Sequence, residues 1–400
     1  MAGTTGIGTT FSLPNFHGEL LALTPADTPL LTAIGGLSGG KQTTSTAFEW
    51  QTSDLRDPAQ PSVLEGAPAP TAQGRVRANV VNVCQIHQET VAVSYTKLAA
   101  TAQYSTPSSA PYRTPGGAPN PVTDELDWQT MEALKTIALD VNFSFINGHI
   151  NIPTTNAAPR RTKGLIEAVT TNVTNKGTAL TGATTATDTI TITHALNNGD
   201  KVIFTDVGAA TNIVEGRVYY VVSKSTTVSF KVAATSGGSA ITLGSATVSL
   251  VAPWSTTLDI GHIDTFVQGV YDNGGLNGET ATFLVNSSQK RALTAAYATA
   301  YGKANPFAGT RNIGGVSVDT VLTDFGTFNV MLDRHVPKDA IIAVSLDQLA
   351  PVFLSIPGKG VFFEEPLAKT GASEQVQLYG EIGLEFGSEK AHGILRGLAV

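Results

Sequence analysis

The chain has 400 residues, 42 % of them apolar, which is enough to bury the cores of two or three ordinary domains. Charged residues make up 14 %, against about 25 % in an average soluble protein, and the formal net charge is −7. This composition argues against a protein whose main role is nucleic-acid binding, because such a protein needs an excess of basic residues. It favours a chain whose surface is largely covered by other copies of itself.

Cysteine usage and the first residues exclude several further classes. Cys84 is the only cysteine, so an intrachain disulfide and a cysteine zinc cluster are excluded, as is typical of folding in a reducing cytoplasm. The first sixteen residues, MAGTTGIGTTFSLPNF, have neither a basic nor an apolar targeting region, so we expect no signal peptide. No apolar run reaches the roughly 18 residues that a membrane span needs.

The first quarter of the chain reads as an arm followed by a ribbon. Residues 1–40 contain no Lys or Arg and three prolines, which predicts an extended arm lying on a neighbour. Residues 41–97 predict a long β-ribbon, with a Pro-rich loop at 54–74 between its strands. The valines of residues 75–96 change parity along the returning strand, which predicts a bulge or bend.

A single long helix follows a Pro/Ser/Gly loop at residues 98–121. Acidic residues in its first turn suit the helix dipole, and the pattern predicts a helix over 124–147 that ends at Gly148. The predicted apolar face consists of Leu126, Met131, Leu134, Ile137, Ala138, Val141 and Phe145.

Residues 176–252 differ from the rest of the chain in composition. They are rich in threonine, alternate apolar and polar residues, and carry turn signals such as Asn198-Gly199. This predicts a small all-β module inserted into a larger domain, with flanks at 163–173 and 253–258 that lie close together. The expected core residues are Val202, Phe204, Tyr220, Val222 and Phe230.

An α/β pattern resumes after the module. Helices are predicted at 262–271 and from Ser287 onward, with buried strands at 281–285 and 340–345. A hairpin is predicted to pair 316–322 with 327–332, and residues 375–398 alternate like a long hairpin.

Several catalytic patterns nearly match, but none is complete. Gly35–Lys41 fits G-x-x-x-x-G-K, yet Gln42 replaces the Mg²⁺ ligand, and the formal G-x-S-x-G around Ser38 lacks a following helix. Asp324-Phe325-Gly326 is better interpreted as a hairpin turn. No two histidines are four positions apart. Glu364 and Glu365 could pair with Glu381 as acid and base, but salt-bridge partners at an interface are the simpler interpretation. We therefore predict no enzymatic activity and no cofactor.

The C-terminal third resembles a known family. FFEEPLAKTG begins at Phe362, GEIGLEF at Gly380 and EKAHG at Glu389, and residues 43–52 and 65–67 add TTST, EWQT and EGA. This pattern resembles the major capsid proteins of tailed bacteriophages, in the branch that ends with EPLAKTG…GE-GLE…EKAHG. The resemblance covers most of the chain outside 176–252.

The resemblance implies an α+β Hong Kong 97-like (Johnson) fold with an inserted all-β domain. It implies the following parts: an N-terminal arm at 1–40, an extended β-loop at 41–97, a peripheral domain at 98–175 with the spine helix 124–147, the insert at 176–252, an axial domain at 253–350, and a C-terminal return to the peripheral domain at 351–400.

The implied function is a shell subunit in the virion, assembled in the host cytoplasm as pentamers and hexamers around double-stranded DNA. Scaffolding and portal proteins would be separate partners, since the arm starts at Met1, and decoration proteins are a further partner class. DNA contact would be non-specific, with no membrane partner. The type member's Lys–Asn isopeptide crosslink is not expected, because no lysine lies between Lys41 and Lys97.

The expected inter-subunit contacts combine apolar ribbon residues with charged residues of the C-terminal motif. They are Trp50, Leu55, Glu364, Glu365 and Lys369. Replacing Trp50 by Ala is expected to impair assembly more than folding, because a ribbon has no core of its own.

One alternative remains open at this point. A phage tail or adhesin protein could use the threonine-rich module to bind a surface, whereas a serine hydrolase at Ser38 is set aside because no helix follows that residue. In the capsid interpretation, we expect the module on the outer surface, because it offers no basic excess to the anionic DNA inside.

Overall fold

The computed structural model describes residues 26–400 except 56–57, 70, 72–73, 76, 99–124, 187, 226–227, 253–255, 277–280, 302–308, 314–315 and 369–370. Residues 1–25 of the predicted arm and most of the predicted loop at 98–121 lie outside the described residues. The described helices include Pro29–Ala33, Glu125–Asn147, Leu165–Ala168, Ile260–Asp272 and Ser287–Tyr301, with 3-10 turns at Leu346–Gln348 and Glu389–Ala391. Within the described part, no helix combines the length and apolar character that crossing a membrane requires.

The chain divides into two compact units. Within the described residues, the smaller unit comprises parts of Gln88–Ile137 and Glu364–Tyr379, and the larger comprises Asp27–His87, Ala138–Phe363 and Gly380–Val400. In the smaller unit, the Tyr95 amide donates to the Ala372 carbonyl at 3.1 Å. The Lys97 ammonium lies 3.1 Å from the buried Glu125 carboxylate at the start of the long helix.

The long helix buries most of the predicted apolar face. Ile137, Val141 and Phe145 are buried, as is Ala133, but Met131 is 56 % exposed, so the expectation that it is covered was wrong. Met131 lies only about 40° around the helix from Phe145 but about four turns closer to the N-terminus, so its exposure reflects its position along the helix. The helix ends before Gly148, as predicted.

A seven-stranded mixed sheet forms the centre of the larger unit. Its order is Gly309–Ile313, Val316–Thr323, Gly326–Leu332, Ala281–Val285, Ala340–Ser345, Gly393–Arg396 and Val173–Asn175. Phe283 and Phe328 stack with ring centroids 4.8 Å apart, and side chains of helices Ile260–Asp272 and Ser287–Tyr301 complete the core. The predicted hairpin around Asp324 is confirmed.

A closed six-stranded barrel occupies residues 179–251. The strand order is Ser229–Ala233, Thr189–Thr191, Ala179–Ala186, Thr247–Val251, Lys201–Asp206 and Val218–Ser225, and the barrel has its own apolar core. The flanks meet the same C-terminal segment, since Val173 pairs with Ile394 and Thr256 with Leu398. This fits the expectation that the flanks lie close together.

Two expected core residues of the barrel were wrong. Tyr219 and Val221 point inward, while Tyr220 and Val222 are only half-buried. The run VYYVV at the start of this strand has no alternating polar residue to show which side chains face the core, so the sequence did not decide between Tyr219 and Tyr220. In the structure, the Tyr219 hydroxyl accepts a hydrogen bond from the Val214 amide at 2.9 Å, which holds that ring on the inner face.

The predicted hairpin over 375–398 was also wrong. Ser373–Glu385 pairs with Ala350–Leu354, which also runs parallel to Lys41–Thr43, whereas Gly393–Arg396 pairs with Ala340–Ser345. The intervening residues 386–392, here called the C-terminal turn, redirect the chain between two sheets. Gly387 has φ +58° there, a conformation that glycine adopts readily.

The ribbon consists of Ala47–Ser53 paired antiparallel with Arg77–Val83. The second of these strands ends at Val83, and after the buried Cys84 a separate strand, Gln85–Ser94, begins. The predicted bend is therefore a break between two strands. Phe362–Pro366 is the remaining strand.

Candidate assembly surfaces

Trp50, predicted to contact a neighbouring subunit, has several partners within its own chain. Its indole Nε1 donates to the Gly387 carbonyl at 2.7 Å, and its ring meets the Phe386 ring edge-on at 4.8 Å. Phe48 also stacks on the indole, with ring centroids 6.0 Å apart. The half-buried indole thus fixes the ribbon to the C-terminal turn, so Trp50→Ala would also affect folding.

The loop between the ribbon strands exposes apolar side chains. Leu55 is 81 % exposed, Val63 78 % and Leu64 85 %. These three residues, here called the ribbon tip, have aliphatic side chains without a covering surface among the described residues. Of the predicted contacts, Leu55 therefore has the geometry of a contact residue most clearly.

Asn82 fixes the base of the ribbon. Its side-chain amide donates to the Leu384 carbonyl at 2.6 Å and the Lys163 carbonyl at 3.2 Å, while its Oδ1 accepts from the Lys163 and Val83 amides, both at 2.8 Å. The side chain is fully buried. One residue therefore holds three segments together, and sequence reasoning missed it because an isolated asparagine in a strand gives no signal.

The EKAHG motif forms internal contacts. Glu389 accepts hydrogen bonds from the Thr170 and Thr171 amides, both at 3.0 Å, and from the Thr171 hydroxyl. These hydrogen bonds outweigh burial and lower the pKa of Glu389. The amide of Asn172 donates to the Lys390 and His392 carbonyls at 2.7 and 2.8 Å. The motif therefore anchors the segment that leads into the barrel.

The other predicted contact residues differ in their surroundings. Glu364 is exposed and Glu365 is half-buried, whereas Lys369 lies outside the described residues. Glu381 is buried and pairs with Arg160 at 2.9 Å, so it is an internal ion-pair partner. Glu381 is therefore not available at the surface to act as an acid or base together with Glu364 or Glu365.

Two buried ionisable groups lie where the ribbon joins the rest of the larger unit. Burial, aided by Glu381 and opposed by Arg160, raises the pKa of the Cys84 thiol to about 12, so the thiol is protonated and unreactive at neutral pH. Burial lowers the pKa of His87 to about 4, which keeps its imidazole neutral.

Asn142 makes a second junction, between the long helix and helix Pro29–Ala33, a part of the predicted arm at 1–40 that packs within its own chain. Its Oδ1 accepts from the Leu31 amide at 3.0 Å, and its Nδ2 donates to Asp333 at 2.8 Å and to His335 at 2.9 Å. Exposed Arg334 lies 3.1 Å from Asp27 nearby. Helix Pro29–Ala33 is thereby held against the long helix.

Charged residues line the seam between the barrel and the seven-stranded sheet. The Lys201 ammonium lies 2.8 Å from the buried Asp339 carboxylate. The buried Arg396 guanidinium donates to the Gly216 carbonyl at 2.7 Å. Burial lowers the pKa of Arg396 to about 10, opposed by Asp339, so it remains charged at neutral pH. The barrel is therefore fixed to the sheet rather than only tethered by its flanks.

The near-matches to catalytic motifs have structural roles. After Gly35–Gly40 the chain continues as strand Lys41–Thr43, not as the helix that a phosphate loop requires, and Lys41 pairs with Glu385 at 2.7 Å. Lys41, Phe48 and Glu385 line an open groove of about 440 Å³. Among the described residues, no group of three or more His, Cys, Asp or Glu side chains could hold a metal ion.

A family model described as SU10 major capsid protein matches residues 3–399. The chain belongs to this family. It is a phage capsid protein, and the predicted resemblance to tailed-phage major capsid proteins is confirmed. The match favours the capsid interpretation over a tail protein, an adhesin or a serine hydrolase.

Solved phage capsids share the fold. The capsid of Cyanophage A-1(L) is 12 % identical with a TM-score of 0.54, covering 99 % of this chain and 100 % of that one. The capsid of Cyanophage P-SCSP1u is 11 % identical with a TM-score of 0.50, covering 98 % and 94 %. No curated protein matches the chain in sequence. The capsid protein therefore has the predicted Hong Kong 97-like fold.

Proposed function

We propose that the capsid protein assembles as pentamers and hexamers into an icosahedral head that encloses double-stranded DNA. The observation that carries this proposal is the family match over residues 3–399. The low share of charged residues supports it, because a shell subunit covers much of its surface with neighbours. Many weak contacts, multiplied by symmetry, then hold the shell together.

Within this shell, the ribbon is the extended loop that lies over a neighbouring subunit. The exposure of the ribbon tip supports this role, because aliphatic groups on a two-stranded ribbon gain most by burial against a partner. Glu364, Glu365 and Lys369 add polar contacts between subunits. Residues 253–350 form the axial domain at the five- and sixfold axes.

The remaining partners follow from the same role. Scaffolding and portal proteins are separate chains that act in the host cytoplasm, and decoration proteins bind outside. The net charge of −7 supports sparse, non-specific contact with packaged DNA. The barrel lies on the outer surface, which its balanced charge supports, and the protein's role requires no catalytic step.

Imaging of the purified full-length protein tests the proposal. We expect closed shells or ring-shaped capsomers in negative stain, and reconstruction of intact particles should place the barrel outside. Fibres, or monomers under every assembly condition, would contradict the shell role. Density for the barrel on the inner face would contradict its placement alone.

A further inference from the structure

The C-terminal turn, residues 386–392, is what the ribbon rests on. Trp50 donates to the Gly387 carbonyl and packs against Phe386, as described above. The Asp54 carboxylate adds an exposed ion pair with Lys390 at 3.4 Å, which contributes little because solvent screens it. Ribbon docking therefore depends on the conformation of this turn, and above all on the position of the Gly387 carbonyl.

His392 holds the turn from inside. Its Nδ1 lies 3.3 Å from the Ser345 amide nitrogen and its Nε2 lies 2.8 Å from the Phe386 carbonyl. A backbone amide can only donate and a carbonyl can only accept, so Nδ1 must be the acceptor and Nε2 must carry the proton. The fully buried ring is therefore neutral, with both nitrogens in use.

The surroundings of His392 disfavour a second proton. Burial lowers its pKa, although the Phe386 carbonyl, Asp347 and Glu389 all favour the charged form. Glu389 is itself occupied by Thr170 and Thr171, and Lys390 is the neighbouring cation. A proton on Nδ1 would face the Ser345 N–H, which places two donors against each other in a buried site.

We propose that His392 is a proton-operated lock on the ribbon. Protonation at Nδ1 breaks the bond from Ser345, opens the C-terminal turn and withdraws the Gly387 carbonyl from Trp50. The ribbon then loosens while the barrel and the seven-stranded sheet stay folded. The consequence for the shell rests on the proposed function, because it requires the ribbon to contact a neighbouring subunit.

The direction of the pH dependence follows from linkage. The locked state binds fewer protons than the open one, so its stability is complete above the ordinary histidine pKa of about 6.5 and falls as the pH drops below it. The contribution of His87, whose pKa is about 4, also falls below about pH 6.5. Substitution of His392, and not the pH range, therefore separates the effects of the two rings.

Fluorescence of Trp50 tests the lock. In full-length protein carrying Trp128→Phe and Trp254→Phe, Trp50 is the only tryptophan left of three. We expect its emission to shift reversibly to longer wavelength between about pH 7.5 and pH 5, with unchanged far-ultraviolet circular dichroism. His392→Gln, which keeps a donor but does not titrate, should abolish the shift. His149→Gln, at a partly exposed histidine, should leave it intact.

Hydrogen exchange on the wild-type chain gives a second test of the lock that does not depend on whether His392→Gln folds. Peptides covering 47–54 should lose protection on acidification, while peptides covering 201–206 keep theirs. An unshifted Trp50 emission, retained protection at 47–54, a shift that persists in folded His392→Gln, or loss of protection in both peptides together would overturn the lock. These measurements use the unassembled protein, so failure to form shells would count against the proposed function and not against the lock.

Discussion

The single side chain of Asn82 carries more of the ribbon's attachment than its ordinary appearance in the sequence suggests. Asn82→Ala should lower the free energy of unfolding by about 3 kcal/mol, because it leaves buried backbone groups of Lys163 and Leu384 without partners. Denaturant titration measures this. Asn79→Ala on the same strand, which removes an exposed bond to Glu49, is the matched control and should cost under about 1 kcal/mol. Equal effects of the two changes would contradict the role of Asn82.

His87 should make the fold sensitive to acid. With a pKa of about 4 in the folded chain and about 6.5 unfolded, it contributes stability above pH 6.5 that is lost as the pH falls towards 4. At pH 5 the loss from this group is about 2 kcal/mol relative to neutral pH.

His87→Leu should remove that part of the pH dependence. The measurement is the difference in unfolding free energy between neutral pH and pH 5, compared with the same difference in wild type. His149→Leu, at a partly exposed histidine, controls for the loss of an imidazole as such. An unchanged pH dependence in His87→Leu would show that this ring is not the acid-sensitive group.

At the scale of elements, the ribbon tip should matter for assembly and not for folding. Leu55→Ser with Leu64→Ser removes two exposed aliphatic groups that have little to lose inside the subunit. We expect an unchanged unfolding midpoint and a several-fold lower yield of shells. Gln60→Ser in the same loop is the control, and normal shell yield from the Leu55/Leu64 double variant would argue against the tip as a contact.

Elements with an unambiguous hydrophobic pattern were predictable from the sequence. Strands Ala281–Val285 and Ala340–Ser345 have the predicted bounds, because each is a short apolar run that is buried throughout. The hydrophobic pattern gave a wrong prediction where it does not determine which strands pair with each other. The alternation over 375–398 does not reveal that its two halves join different sheets, which only the fold of the C-terminal turn decides.

The candidate surfaces were less predictable than the fold. Trp50 could be singled out as a large apolar group on a ribbon, but its acceptor at Gly387 lies 337 positions away and has no sequence signal. His392 belongs to a motif that the resemblance supplied, yet its two bonds to backbone groups come from geometry alone. Such contacts depend on which distant segments lie side by side in the fold, and no local pattern in a single sequence shows this.

For the whole molecule, we expect shells without covalent links between subunits. The stretch from Gln42 to Thr96 contains no lysine, so the ribbon offers no amine for an isopeptide bond. Mature particles, boiled in detergent, should give one band near the chain mass of 41.6 kDa on a denaturing gel. A ladder of higher bands would contradict this expectation.

The ion pair between the barrel and the rest of the larger unit should contribute to the free energy of unfolding. Lys201→Met removes the cation that lies 2.8 Å from the buried Asp339 carboxylate and should destabilise the protein by about 2 kcal/mol, although Arg396 stays nearby. Adding Asp339→Asn should recover most of that loss, whereas Lys224→Met, at an exposed lysine of the same barrel, should cost little. Calorimetry of these three variants and of Asp339→Asn alone measures the coupling, and additive effects of Lys201→Met and Asp339→Asn would argue against it.

The same seam limits how such a barrel can be gained in evolution. Deleting residues 179–251 would leave Asp339 and Arg396 on the sheet without the lysine and carbonyl that complete their surroundings. Without the barrel both side chains would face water, so a lineage that lost it would be free to change these two positions. A barrel transplanted into another capsid protein should need this pair of charges transplanted with it.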